Sequence, residues 1–131
     1  MSKAMRALML AVALTATAAP ALAAPAPAVF REEIARTDLG NEMEAVLGRS
    51  GMGIGGDSGR HTHPGIEMVT LVEGTVELII DGQPARTIQT GEAFMIPNKV
   101  IHRIRNVGAG PARFAPVWII EKGQPIAIPA N

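Results

Sequence analysis

The most informative part of the sequence is His61-Thr62-His63-Pro64-Gly65-Ile66-Glu67, together with a second stretch that ends in His102-x3-Asn106. The chain contains three histidines, and all of them lie in these two stretches. Three neutral imidazoles and one carboxylate form a mixed nitrogen and oxygen ligand set that suits a divalent transition metal. This concentration of histidine in one pattern is the strongest functional signal in the sequence.

The spacing of these residues is compatible with a single site on a β-sheet. Side chains alternate along a strand, so His61 and His63 project from the same face with Cα atoms roughly 6.5–7 Å apart. Glu67 has the same parity and can join that face beyond the Pro64-Gly65 kink. His102 is distant along the chain, and it reaches the site only if its strand runs beside the first in a closed sheet.

The chain beyond residue 43 predicts an all-β fold. Short runs rich in Val, Ile, Leu and Thr alternate with Gly and Pro turns, and Asp81-Gly82 marks a tight hairpin. No stretch here has sustained helical periodicity, and the pattern is typical of an antiparallel sandwich or barrel. We predict a glycine-dense loop over 50–59 and strands over residues 43–49, 66–73, 75–80, 85–88, 92–96, 101–106 and 113–121.

The first residues are typical of a secretory leader. Lys3 and Arg6 precede the apolar run 7–19, and Ala21-Leu22-Ala23 has the pattern of a cleavage site. An uncleaved anchor helix is the alternative, but the run is short for a span of about 20 residues. We therefore predict a secreted, periplasmic protein with no stable membrane anchor after cleavage. The predicted organisation is a signal peptide over 1–23, a flexible segment over 24–40 with room for a short strand after Arg31, and a β-barrel domain over 41–131.

The charge balance excludes some partners. The chain has 12 acidic and 12 basic residues, and cleavage of the leader removes two bases, which leaves a net charge of −2. This balance excludes the basic surface that nucleic acids and anionic membranes require. The chain has no cysteine, so disulfides cannot stabilise it in an oxidising compartment. Some strands are apolar on both faces, which fits either a homodimer or ordinary sandwich packing.

The two stretches together resemble the motifs of the cupin superfamily, specifically of its small single-domain members. The first motif, G-x5-H-x-H-x3,4-E-x6-G, is matched from Gly55 to Gly74, and the second, G-x5-P-x-G-x2-H-x3-N, is matched from Gly91 to Asn106. The one departure is Lys99, where the family usually has Gly. The neighbouring Asn98 tolerates the left-handed conformation, and we expect it to carry the turn.

The resemblance implies a double-stranded β-helix, or jelly-roll barrel, that binds one metal ion. The ligands that it implies are His61, His63, Glu67 and His102. Such a donor set accepts Fe, Mn, Co, Ni, Cu or Zn, and the sequence does not decide among them. Four protein ligands leave positions on the ion for water, substrate or dioxygen. The resemblance to cupin dioxygenases also allows Glu67 to leave the metal and accept a proton, which makes it the candidate catalytic residue.

Three functions are compatible with this site, and whether the protein is an enzyme stays open. The first is a dioxygenase-type enzyme that acts on a small organic molecule, and the second is a non-catalytic module that binds a metal or a small ligand. A sugar epimerase is disfavoured because the chain has no Tyr for an acid–base pair. An enzyme requires an accessible, partly polar pocket, whereas a binding module predicts a sealed or apolar one.

Neighbouring side chains complete the predicted site. Val69, Leu71 and Ile104 share the parity of the ligands and predict a small aliphatic pocket. Glu44 and Arg49 are more typical of a solvated face than of a pocket wall. The arginines that flank the ligands have the opposite parity and are expected to face outward, namely Arg60, Arg103 and Arg105.

Overall fold

The computed structural model describes residues 29–131 as two five-stranded antiparallel sheets, and these residues contain no helix. One sheet has the order β1-β2-β9-β4-β7 and the other β10-β3-β8-β5-β6. This arrangement is consistent with the predicted double-stranded β-helix, and the all-β prediction is confirmed. The strands are β1 Val29–Gly40, β2 Met43–Met52, β3 His61–Thr62, β4 Gly65–Glu73, β5 Thr75–Ile80, β6 Arg86–Gln89, β7 Ala93–Ile96, β8 His102–Asn106, β9 Ala112–Glu121 and β10 Ile128–Pro129.

The core lies between the two sheets because strands such as β4 and β9 bury alternate residues. In β4, Glu67, Val69 and Leu71 are buried, whereas Ile66 and Thr70 are exposed. Burial of the apolar members of this face supplies the main favourable term in folding. The larger cluster of buried apolar side chains comprises Met52, Val69, Leu71, Val76, Leu78, Ile88, Phe94, Ile96, Ile104, Ala112 and Phe114.

Most predicted strands occur within one or two residues of their predicted bounds. The strand over 75–80 is found as predicted, and the Asp81-Gly82 hairpin joins the antiparallel pair β5 and β6. The glycine-dense loop begins later than predicted, because Ser50–Met52 continue β2 and pair with β9. The strands β3 and β10 were not among the predicted strands. Each is two residues long and depends on pairing with a distant partner.

The flexible segment predicted over 24–40 differs from the structure. Residues 29–40 form β1, which pairs with β2 from Val29↔Met52 to Gly40↔Met43. All side chains of β1 are exposed. Its sequence correspondingly lacks the alternation of apolar and polar residues that marks a half-buried strand. Backbone pairing with β2 therefore accounts for this strand. The predicted signal peptide over 1–23 and the Pro/Ala tether over 24–28 lie outside the described residues.

Within residues 29–131, no helix is long and apolar enough to cross a membrane.

The turn before β8 differs from the prediction at one residue. Three glycines of the two motifs have a positive φ, namely Gly55, Gly74 and Gly91, at 71°, 98° and 89°. In the 97–100 turn, however, Lys99 itself has a φ of 61°, so the expectation that Asn98 adopts the left-handed conformation is wrong. The backbone N–H of Val100 bonds to the Pro97 carbonyl at 3.3 Å, which places Lys99 at the third turn position, where positive φ is required.

The strain at Lys99 predicts a stabilising substitution. Lys99→Gly removes a left-handed conformation that costs a side chain with a Cβ roughly 1–2 kcal/mol, offset in part by the greater entropy of glycine in the unfolded chain. We expect the free energy of unfolding to rise by about 0.5–1 kcal/mol in urea titrations. Asn98→Gly is the matched control and should give no gain, because Asn98 has no positive φ. Equal effects of the two substitutions would contradict the assignment of the strain to Lys99.

Candidate metal site

The three histidines converge at one point on the inner face of the β10-β3-β8-β5-β6 sheet. His61 in β3 pairs directly with His102 in β8, and His63 follows β3 by one residue. Their ring centroids lie 4.3–5.1 Å apart, and one ring nitrogen from each lies within 4.8 Å of the others. All three side chains are buried, with exposed fractions of 6% for His61 and 0% for His63 and His102. The predicted convergence of these residues is therefore confirmed.

Backbone carbonyls orient the three rings. The Nδ1 atom of His61 lies 2.9 Å from the Gly59 carbonyl oxygen, and that of His102 lies 3.0 Å from the Val100 oxygen. The Nδ1 atom of His63 lies 2.5 Å from the carbonyl oxygen of Ile126. A carbonyl can only accept, so each Nδ1 carries the proton and donates it. In a neutral ring this leaves a lone pair on Nε2, which is the tautomer that a metal ligand needs.

Two of these Nε2 atoms have no hydrogen-bond partner. The Nε2 atoms of His63 and His102 are fully buried and unpaired within residues 29–131. An unsatisfied buried polar atom costs roughly 1–3 kcal/mol, so two side by side need a compensating ligand. A divalent metal accepts lone pairs from several imidazoles at once. The donor set and its orphaned nitrogens therefore fit a metal ion.

Glu67 lies at the edge of the histidine cluster. Its Oε2 atom is 3.2 Å from His63 Nε2, and its Oε1 atom is 3.6 Å from His102 Nε2. The side chain is 5% exposed, and its Oε2 accepts a 2.6 Å hydrogen bond from the indole N–H of Trp118 on β9. The structure thus brings Glu67 beside two of the histidines. Its predicted role as the fourth ligand stays a prediction.

Burial and charge in the site favour a neutral His61 and an ionised Glu67. Burial lowers the pKa of His61 to about 4, and the charges of His102, His63 and Arg31 add to this shift while the hydrogen bond to Gly59 opposes it. Burial acts to raise the pKa of Glu67, whereas hydrogen bonds and positive charge from His102 and His63, when those rings are protonated, lower it well below its usual range. At neutral pH the buried carboxylate therefore needs positive charge beside it, and a bound cation would supply that charge.

A cavity of about 130 Å³ opens beside the histidines. Its volume is many times the roughly 10–15 Å³ that one water needs, but below the roughly 300–1,000 Å³ of drug-sized ligand sites. Val69 and Ile104 line it as predicted, whereas Leu71 belongs to the core instead. Its polar lining consists of Arg31, Ser50, Ser58, His61 and Glu67.

Sequence reasoning missed two residues of this site, Arg31 and Ser50, and it favoured a core position over a pocket position for Trp118. Arg31 and Ser50 face the cavity because β1 pairs with β2 and places them opposite each other. Trp118 reaches Glu67 because these residues are paired between β9 and β4. No local pattern carries this information, since it depends on the register between strands that are distant in sequence.

Glu44 does not lie on a solvated face as expected. It is 6% exposed, and its carboxylate forms an ion pair with Arg36 of β1. Burial follows from its position on the inner side of β2, where β1 supplies the compensating charge. It does not line the cavity. Arg49 is exposed as predicted and pairs with Glu32.

The arginines that flank the ligands form ion pairs away from the histidines. Arg60 pairs with Asp81, Arg103 with Asp57, and Arg105 with Glu77. These three side chains are partly or largely exposed, and none lines the cavity. They therefore act as surface charges, as their parity predicted.

A family comparison agrees with the fold and the histidine pattern. Residues 49–130, more than half of the chain, match the family model described as a cupin domain. The chain therefore belongs to the cupin family. No protein with a curated description matches the chain.

Solved structures of the same fold include two enzymes and a cupin superfamily protein. A cupin superfamily protein from Desulfitobacterium hafniense has a TM-score of 0.62 at 17% identity, with 76% of this chain and 84% of that one covered. A recombinant oxalate oxidase in complex with glycolate has a TM-score of 0.57 at 24% identity. A DMSP lyase from Ruegeria pomeroyi has a TM-score of 0.59 at 20% identity. These identities show the fold alone.

The chain spans less than half the length of either enzyme. It covers 45% of the oxalate oxidase and 43% of the DMSP lyase, with 65% and 66% of its own residues aligned.

The orphaned nitrogens predict the effect of removing one histidine. His63→Ala should abolish stoichiometric metal uptake, because His63 is fully buried and contributes one of the converging Nε2 atoms. Thr62→Ala is the matched control on β3 and should retain full uptake, since the side chain of Thr62 projects from the opposite face. Elemental analysis after reconstitution and desalting gives the metal content of each variant. Unchanged metal content in His63→Ala would show that the metal binds elsewhere.

Proposed function

We propose that this protein is a metal-dependent cupin enzyme that acts on a small organic molecule, with oxygenase chemistry as the favoured reaction class. The observation that carries the proposal is the cavity beside the histidines. It is open and partly polar, and both His61 and Glu67 line it. A sealed or apolar cavity would have favoured a binding module instead.

The residues of the site have distinct tasks in this proposal. His61, His63 and His102 hold the metal through Nε2, and their Nδ1 hydrogen bonds keep the rings in place. Glu67 supplies the carboxylate ligand, and Trp118 fixes its orientation. A bound divalent metal supplies a Lewis acid, and a redox-active one also supplies electrons for dioxygen chemistry. This donor set accepts Fe, Mn, Co, Ni, Cu and Zn.

The proposed proton transfer to Glu67 has a physical obstacle. Its pKa lies well below the usual range, and one of its oxygens already accepts the Trp118 hydrogen bond. A carboxylate of low pKa is a weak general base at neutral pH. Glu67 is therefore better suited to hold charge than to accept a proton, and its catalytic role stays a prediction.

The shape of the cavity limits the substrate. About 130 Å³ admits a molecule of a few non-hydrogen atoms and excludes a large planar ring system. Its apolar wall includes Val69, Phe114 and Pro116. Solved relatives of this fold include an oxalate oxidase and a DMSP lyase, so the fold accommodates catalysis on small organic molecules.

A non-catalytic metal or small-ligand binding module is the second candidate. The observation that favours it is the scarcity of acid–base groups. The chain has no Tyr, no Cys and no histidine beyond the three in the site. A reaction that needs a general acid other than the metal or its bound water has few residues to supply one.

Turnover distinguishes the two candidates. The mature protein should be reconstituted separately with Fe(II), Mn(II), Ni(II) and Cu(II), and oxygen consumption measured against small organic acids, alcohols and amides. We expect substrate-dependent oxygen uptake with at least one metal, its loss in His63→Ala and its retention in Thr62→Ala. Stoichiometric metal with no oxygen uptake and no product by mass spectrometry would instead support the binding module.

We also propose that the protein is a homodimer that packs through the outer face of the β1-β2-β9-β4-β7 sheet. Leu47, Ile66 and Met95 are 46%, 43% and 66% exposed on this face. Met68 lies at its centre, paired with Val117 on one side and Met95 on the other. A contiguous apolar face of this kind favours association.

Light scattering during size exclusion tests the dimer. We expect twice the mass of the mature chain for the wild type and a single-chain mass for Met68→Glu. Val107→Glu is the control and should stay dimeric, because Val107 is exposed in the loop after β8 on the other sheet. A wild-type mass of one chain would refute the dimer.

Export to the periplasm remains part of the proposal. N-terminal sequencing of protein recovered from the periplasmic fraction should give a start near Ala24. A start at Met1, or recovery with the cytoplasm alone, would refute it.

A further inference from the structure

The cavity beside the histidines has a cationic wall. Arg31 is the only Lys or Arg among the residues that line it. Its guanidinium carbon lies 6.0 Å from the centre of the Trp118 ring, at the limit of a cation–π contact. Arg31 is paired with Ser50, and Ser50 in turn with Phe114, so all three lie on the inner face of the sheet. β1 therefore brings a positive charge to the cavity from outside the family motifs.

Arg31 differs from most cations of this protein because it has no carboxylate partner. Residues 29–131 contain ten Lys and Arg, and seven of them form ion pairs with Asp or Glu. Arg31, Arg86 and Lys99 are the other three. Glu67 lines the same cavity, yet it lies beyond ion-pair distance of Arg31 and is held by Trp118 instead. The guanidinium is therefore free to bind a ligand.

We propose that Arg31 forms an anion subsite and that the ligand of this cavity is a small organic carboxylate. A guanidinium binds a carboxylate through two parallel hydrogen bonds, a geometry that a lone ammonium does not offer. The Ser50 hydroxyl lies beside Arg31 and can donate a further hydrogen bond. The apolar wall, which includes Val69 and Phe114, contacts the carbon skeleton. This inference rests on the proposed function, since it names the substrate class of the same site.

The charge balance of the site is compatible with an anionic ligand. The Glu67 carboxylate alone would repel a second anion in so small a cavity. Arg31 and a divalent cation held by the histidines together carry three positive charges against that one negative charge. Arg31 and the cation therefore leave a positive excess, which one ligand carboxylate reduces and a second one neutralises. An uncharged ligand would leave the guanidinium without its best partner.

The test compares butyrate with butyramide, which differ little in size and shape but differ in charge. Isothermal titration calorimetry gives the affinity of each probe for wild type, Arg31→Gln, Arg31→Lys and Arg86→Gln, in metal-loaded and metal-free protein. Arg86→Gln is the matched control, because Arg86 is exposed and without an ion pair but lies on β6, away from this cavity. Circular dichroism and metal content are measured on every sample.

We expect Arg31→Gln to weaken butyrate binding by about tenfold and to leave butyramide binding unchanged. Arg31→Lys should recover part of the loss, and Arg86→Gln should behave as wild type. A bound metal itself favours carboxylates. The contribution of Arg31 to butyrate affinity is therefore the difference in affinity between wild type and Arg31→Gln at equal metal content. Equal butyrate affinity in these two proteins would overturn the anion subsite and leave the proposed function standing.

Two further outcomes separate the inference from the proposed function. If neither the wild type nor any variant binds metal, but butyrate binding still depends on Arg31, the anion subsite stands and the metal-dependent function fails. If inorganic phosphate competes with butyrate at similar concentration in wild type, the choice of a carboxylate is overturned in favour of a general oxyanion site.

Discussion

The candidate site depends on three hydrogen bonds from histidine Nδ1 atoms to backbone carbonyls. Each bond uses a carbonyl from a different segment, at Gly59, Val100 and Ile126. Together they turn three Nε2 atoms toward one point inside the barrel. Without these acceptors, each ring could rotate or change tautomer, and the lone pairs would not converge. The rest of the fold matters to function because it holds these carbonyls in place.

Both sheets take part in this arrangement. β3 and β8 pair at His61 and His102, which sets two rings side by side on one sheet. Glu67 comes from β4 on the opposite sheet and is oriented by Trp118 of β9. The segment that carries Ile126 contacts His63 before β10 joins the edge beside β3. The site is therefore assembled across the interior by strands that are far apart in sequence.

Much of the fold and the histidine cluster could be predicted from the sequence because the signals are local. Alternation of apolar residues marks β4 and β5, and parity points the side chains of His61, His63 and Glu67 toward the interior, although Glu67 lies on the opposite sheet. The contributions of Arg31, Glu44 and Trp118 could not be predicted, since each depends on the register of β1, β2 or β9 against a distant strand. Lys99 shows a different limit of prediction from sequence. The sequence revealed that a glycine position was occupied by another residue, but not that Lys99 would adopt the strained φ itself.

The pairing of β1 links the fold to the chemistry of the cavity. A strand with every side chain exposed contributes little to the core, yet it carries Arg31 to the cavity and Arg36 to the buried Glu44. The strand lies outside the residues that match the family model, which begin at residue 49. Features that distinguish this protein from other cupins are therefore expected in this N-terminal strand.

The most direct test of the metal site is the tautomer of each histidine in the metal-free protein. Long-range ¹H–¹⁵N correlation spectra of ¹⁵N-labelled protein at neutral pH report which ring nitrogen carries the proton. The structure predicts that His61, His63 and His102 each carry a ring proton on Nδ1 and none on Nε2. A proton on Nε2 of His63 or His102 would contradict the convergence of lone pairs on which the metal site depends.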